Sequence, residues 1–262
     1  MPAAAGLDFG YPWWLSYGHL TILLCLLALL AAGRIRAWSR VRMWTLGALA
    51  AWAAVSSIIV SRFDVNGVPS LPAPNFLSSG EGRVLDIGAG TGRSSVMVLR
   101  ARPRATLVAL DLFGDSFARH FGPGTSPQAR LQANLQAAGV AGRAAIETAD
   151  MRKLPFSAAS FDAAVSAYAM DHLSSEGTVQ ALAEAARVIR PGGEFLLILV
   201  RNDWLMKVAF GPLLSHGGLR GKEWWTARLE ESGFRIAETG VAPATMFFLL
   251  HKPAGPRASS NP

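Results

Sequence analysis

Cysteine is all but missing. Cys25 is the one thiol in 262 residues, which excludes a disulfide framework or a zinc site of clustered cysteines within one chain. Charge is scarce as well: 16% of residues are charged and 51% hydrophobic, too apolar for a disordered or fibrous chain and enough for a sizeable core. Acids are outnumbered 18 to 25, so the net charge is +7 and the pI about 10.3. No single basic stretch explains the excess. Residues 1–70 hold five arginines against two acids, and the remainder 20 basic against 16 acidic residues, a balance that does not point to nucleic acid. There is no internal repeat, and His19, His120, His216 and His251 show no metal-ligand spacing.

What the chain does have, near its start, is apolar length. Residues 13–32 are twenty positions without a formal charge, dense in Leu and flanked by Tyr11, Trp13, Trp14 and Tyr17, which predicts a transmembrane helix with an aromatic belt. A cleaved signal peptide competes with this, but it needs a basic start, and the first 33 residues carry only Asp8. Residues 43–61 form a second uncharged stretch, richer in Ala, that either crosses too or lies against the membrane or domain. Between the two stand Arg34, Arg36, Arg40 and Arg42, which the positive-inside rule places in the cytoplasm. If both stretches cross, everything after residue 62 is then outside. The expected division is a membrane anchor over 1–62, a linker over 63–79 with a Pro-rich run at 68–74, the main domain over 80–252 and a disordered tail over 253–262.

After the linker, apolar runs at 83–87, 106–110, 144–148, 163–167, 194–199, 235–239 and 245–251 read as strands. Helical patterns fall at 93–102, 127–138, 177–189 and 223–232. Alternation of this kind implies an α/β fold with a doubly wound, mostly parallel sheet covered on both faces, closed by an antiparallel hairpin.

The strand at 83–87 runs into VLDIGAGTG, residues 84–92, and then a helix. Glycines there permit a sharp turn and close backbone approach. The dinucleotide fingerprint is Gly-x-Gly-x-x-Gly, whereas this loop is Gly88-x-Gly90-x-Gly92 with Asp86 before it. A carboxylate beside the loop repels pyrophosphate and suits a cationic ligand. The segment resembles the class I S-adenosylmethionine-dependent methyltransferases of the quinone-biosynthesis and small-molecule type, over roughly residues 80–252. LPF at 154–156, FDAAVS at 161–166 and ARVIRPGG at 186–193 carry the resemblance further. It implies a Rossmann-like seven-stranded domain and S-adenosylmethionine as cofactor. It implies also that Asp111, followed by Leu112, binds the ribose hydroxyls, and that Asp150, followed by Met151, faces the adenine amino group. The competing reading for Asp86 is a cap on turn amides, and for Asp111 a solvated strand end. Asp162 and Pro191-Gly192-Gly193 read as architectural, a turn acid and a tight turn before the fifth strand.

Loops at the carboxyl edge of such a sheet hold the ligand, which places Tyr168, Asp171 and His172 opposite the transferred methyl. His172 is the candidate base, since imidazole accepts a proton near neutral pH. The family commonly has His-His-Leu where this chain has Asp171-His172-Leu173, so Asp171 either orients His172 or caps the next helix. A packing role for His172 stands beside the catalytic one, because many methyltransferases act by proximity alone. The Asn-Pro-Pro-Tyr loop of many nucleic-acid and protein amino-methyltransferases is absent. Residues 112–126, with three Phe, read as a lid or an inert loop. Residues 202–216, with Trp204, Leu205, Met206, Val208, Phe210, Leu213 and Leu214, read as an acceptor pocket, a membrane contact or core.

The expected function is a membrane-integral methyltransferase, its catalytic domain cytoplasmic, acting on a small, lipophilic acceptor, with membrane and acceptor as partners and no nucleic acid. Three alternatives stay open: a soluble acceptor with the anchor serving location, a nucleotide-binding reductase, which the loop spacing disfavours, and a non-catalytic membrane interaction protein.

Overall fold

Apolar side chains that alternate along a strand feed opposite faces of a sheet, so a strand apolar on both sides must be covered twice. The computed structural model, which describes residues 6–62, 67–114, 126–210, 219–242 and 245–254, shows this arrangement. Its strands are β1 (Glu81–Ile87), β2 (Arg104–Asp111), β3 (Ala144–Thr148), β4 (Phe161–Ala167), β5 (Ile189–Val200), β6 (Arg235–Ala242) and β7 (Thr245–His251). They form one sheet in the order β3-β2-β1-β4-β5-β7-β6, parallel except for β7, which runs antiparallel to both neighbours. Val84, Leu107, Val165 and Leu196 enter one apolar layer with Val96, Leu99, Leu131 and Leu135 from helices α3 (Arg93–Ala101) and α4 (Pro127–Ala137). Leu85, Leu110, Ala164 and Leu197 enter the other with Ala181, Leu182 and Trp225 from α5 (Ser175–Val188) and α7 (Lys222–Glu231). The doubly wound sheet expected from the sequence is present.

Two local readings change. Pro191-Gly192-Gly193 is not a turn before the fifth strand: β5 begins at Ile189, pairs with Phe161, and resumes with Glu194 opposite Ala163, so the three residues make an irregularity inside the strand. A Cβ at Gly193 would lie 2.6 Å from the Asp162 carbonyl oxygen, which is why glycine stands there. Residues 67–79 of the expected linker also belong to the sheet domain. Ala73, Phe76 and Leu77 are buried in the first layer, and Arg102 donates from Nε to the Phe76 carbonyl (2.7 Å) and from Nη2 to that of Pro74.

The chain divides into two units, the sheet domain taking residues 6–10, 67–202 and 219–254. Residues 6–10, expected inside the membrane part, therefore belong with the sheet. The second unit contains α1 (Trp13–Ile35), α2 (Arg40–Ser61) and the segment from Asp203 through α6 (Trp204–Phe210). Both long helices exceed the uncharged runs that announced them, because Arg34, Arg40 and Arg42 are good helix formers and continue the turns. Trp38 N–H donates to the Gly33 carbonyl (2.9 Å) to close the hairpin. Each helix is long and apolar enough to cross a membrane. Helix α6 packs in this unit: the Trp52 indole donates to the Val208 carbonyl (2.7 Å), and His19 stacks edge-on against Trp52 and Phe210 at 5.5 and 5.8 Å. Leu213, Leu214 and His216 lie outside the described residues, as do residues 115–125 of the expected lid and the tail beyond 254.

Candidate active site

Parallel strands deliver their carboxyl ends to one edge, so β1, β2, β3 and β4 bring the glycine loop, Asp111, Asp150 and Tyr168 to the same rim. Gly88, Gly90 and Gly92 have φ of 79°, 53° and 87°, the left-handed region where a side chain is strained. Packing imposes a second demand. A Cβ on Gly88 would lie 2.3 Å from Ala169 Cβ and 3.1 Å from Met151 Cε, and one on Gly92 2.3 Å from Leu131 Cδ1. The loop is thus pressed between the segment after β4, Met151 and α4, and two glycines answer protein neighbours rather than a ligand.

Asp111 holds the loop from the next strand. Its Oδ2 accepts from Gly90 N–H and its Oδ1 from Phe113 N–H, both at 2.9 Å, while Gly88 and Ala89 N–H donate to the Leu110 carbonyl. Each carboxylate oxygen keeps a second lone pair, enough for two ribose hydroxyls. Leu112 follows, exposed on the rim.

Asp86 is fully buried. Its Oδ2 accepts from Ser94 Oγ (2.7 Å) and Ser95 Oγ (2.5 Å), and Oδ1 has no hydrogen-bond partner among the described residues. Burial raises its pKa to about 6; the two hydroxyls oppose the rise and the Asp111 charge adds to it. A buried carboxylate with an unsatisfied oxygen beside a glycine loop suits a cationic group. Its partners are hydroxyls of α3 rather than the turn amides of the competing reading.

Asp150 behaves otherwise. Arg152 donates to both its oxygens, the shortest contact being 2.6 Å, and these bonds hold its carboxyl below the usual range. The carboxylate lies next to Met151, but its strong partner is Arg152.

Tyr168 has φ of 54°, an uncommon backbone state for an aromatic residue that clusters at functional sites. Its N–H donates to the Ile198 carbonyl (2.9 Å), and its hydroxyl shares a 2.6 Å hydrogen bond with Thr245 at the start of β7. Asp171 and His172 follow in a 3-10 turn, Met170–His172, and part company there: Asp171 is buried and His172 exposed. Asp171 Oδ2 accepts from Val200 N–H at 3.4 Å, and Oδ1 has no hydrogen-bond partner among the described residues. Burial pushes its pKa up, against the neighbouring charges of His172 and Arg220. Asp171 therefore ties the turn to the end of β5.

Ser94, Ser95, Asn134 and Arg152 are absent from the residues singled out by sequence. Two serines eight and nine positions after a buried acid, and an Asn on the apolar side of α4 beside Leu131 and Leu135, were the available signals.

Comparison with known proteins agrees with this geometry. A family model described as a methyltransferase domain matches residues 84–193. An O-methyltransferase of Aspergillus nomiae, rstn1, is 30% identical over 176 residues, 62% of this chain and 68% of that protein. A ubiquinone/menaquinone biosynthesis C-methyltransferase, UbiE, of Bartonella tribocorum is 33% identical over 130 residues, 48% of this chain and 45% of that one. The chain thus spans about half to two thirds of the length of the curated relatives it matches. Among solved structures, an O-methyltransferase family protein from Burkholderia thailandensis superposes with a TM-score of 0.57 at 14% identity, covering 86% of this chain and 64% of that one, a likeness of fold. The sheet order, the glycine loop with its acid and the relatives agree, and the chain belongs to the class I S-adenosylmethionine-dependent methyltransferases.

Proposed function

We propose that the chain is a membrane-anchored methyltransferase that moves a methyl group from S-adenosylmethionine to a small lipophilic acceptor. The observation that carries the acceptor half is the placement of α6. It begins four residues after β5 ends at the active edge, it is the notably apolar insertion of the sequence, and it packs within the same unit as the two membrane-length helices. Trp204, 73% exposed, is left uncovered on it, and Met206 is buried. An exposed Trp on a helix tied to an apolar hairpin suits an interface with lipid. Relatives named for oxygen and for carbon methylation leave the acceptor atom open.

The donor, when bound, supplies an electrophilic methyl on a sulfonium. Asp111 would take the ribose hydroxyls and Asp86 would set a negative potential for the amino-acid end, while Met151 packs beside the glycine loop. Asp150, paired with Arg152, would be the carboxylate for the adenine amino group. His172 accepts the acceptor's proton where there is one to lose, with buried Asp171 stabilising the imidazolium that forms. Aligning the acceptor in line with the methyl is the larger part of the work.

Calorimetry on the full chain in detergent tests the donor half. S-Adenosylmethionine is expected to bind, and Asp111→Ala to weaken it by about 1.5–3 kcal/mol, the scale of hydrogen bonds to a charged group. Preference for NAD would overturn the reading.

A further inference from the structure

Residues before the first long helix sit on the cofactor loop. Phe9 is wholly buried, and its carbonyl accepts from Thr91 Oγ1 (3.0 Å), Thr91 standing between Gly90 and Gly92. Asn134 of α4, buried and amide-bearing, joins the two segments. Its Nδ2 donates to the Asp8 carbonyl (2.8 Å) and to the Thr91 carbonyl (2.9 Å), and its Oδ1 accepts from Asp8 N–H (2.8 Å). Asp8 turns the chain by accepting from Gly10 N–H (2.8 Å), and an exposed contact with Arg130 at 3.7 Å adds little. The loop is held from one side by Asp111 through Gly90, and from the other through the hydroxyl and carbonyl of Thr91.

We propose that residues 8–10 form a strap that sets the glycine loop for the cofactor, with Asn134 as the positioning residue that ties strap to loop. The proposal rests on the reading of that loop as the S-adenosylmethionine site. A loop of three left-handed glycines has little intrinsic preference for one shape, and ordering it costs conformational entropy. Hydrogen bonds to Thr91 remove that freedom before the ligand arrives, which is how preorganisation raises affinity. The coupling is reciprocal: whatever factor the strap adds to cofactor affinity, the cofactor adds to strap docking. Since α1 starts at Trp13, three residues after Gly10, the strap is continuous with the apolar hairpin, and a fragment begun after the hairpin lacks it.

The test uses the full chain in detergent with S-adenosylhomocysteine as the probe, measuring its Kd by calorimetry and amide exchange at residues 8–10 with and without it. Asn134→Ala and Phe9→Ala are expected to weaken binding about tenfold or more, and in the unmodified chain the probe is expected to slow exchange at residues 8–10 by a similar factor. A purely structural role leaves that exchange unaffected by the probe. Should Asn134→Ala fail to fold, deletion of residues 1–9, which removes Asp8 and Phe9 outright, decides by its Kd alone. A Kd within twofold of the unmodified chain, for the deletion or for a folded Asn134→Ala whose exchange shows the strap released, would overturn the strap alone. Failure of the unmodified chain to bind would instead overturn the cofactor reading on which it rests.

Discussion

Asp86 carries a cost that its neighbours only partly offset. Its pKa of about 6 in the folded chain lies above the ordinary 3.8, so folding favours the protonated form. Its stabilising contribution is complete below about pH 4 and is lost as pH rises through 6, on the order of 3 kcal/mol by proton linkage. Asp86→Asn keeps an acceptor for Ser94 and Ser95 and removes the buried charge. It is expected to stabilise the ligand-free chain by about 1–3 kcal/mol at pH 7.5 and hardly at all at pH 4, read by denaturant unfolding, while weakening donor binding at pH 7.5. An equal change at both pH values would show that the charge is not the cause. His172→Ala, if the acceptor loses a proton, is expected to lower turnover by roughly 100-fold with donor affinity unchanged; unchanged turnover at saturating substrate returns His172 to a structural role. Asp86 and the three glycines could be singled out because a strand end and its turn are local, and Asp111 through the family resemblance. Phe9 and Asn134 could not, because their partner Thr91 is 82 and 43 residues away in sequence, a separation that carries no periodic signal.

Strand and helix positions followed the sequence closely, since period-two and 3.6-residue patterns are dictated by burial on both sheet faces. Departures came where glycine or proline was taken as punctuation. Pro191-Gly192-Gly193 interrupts β5 from within, and Gly193→Ala, with a Cβ 2.6 Å from the Ile189 side chain as well as the Asp162 carbonyl, is expected to destabilise by about 1–3 kcal/mol in denaturant unfolding. A loss below 0.5 kcal/mol would mean the strand yields there. Helix α6 carries an exposed large apolar residue, Trp204, and a buried one, Met206. Trp204→Ser is expected to leave the fold intact and to raise acceptor KM, whereas Met206→Ser is expected to lower Tm. The reverse pattern would make α6 ordinary core.

At the scale of the molecule the hairpin and the donor pull in opposite directions. Helices α1 and α2 are each long and apolar enough to cross a membrane. Both ends of the hairpin lead into the sheet domain, so a double crossing puts Arg34, Arg36, Arg40 and Arg42 on the opposite side from catalysis. The charge rule then predicts an external domain and the donor's compartment a cytoplasmic one; the proposed activity requires the latter. Protease added to intact cells is expected to leave residues 67–254 uncut, and cleavage there would favour the arginines.

Transfer itself decides whether this edge is a methyltransferase site for a lipophilic acceptor. The full chain, reconstituted into vesicles of its host's lipid extract and given methyl-labelled S-adenosylmethionine, is expected to move label into the organic-soluble fraction, and Asp111→Ala to abolish most of that transfer at limiting donor. Label confined to water-soluble products, or transfer to lipid undiminished by Asp111→Ala, would contradict it.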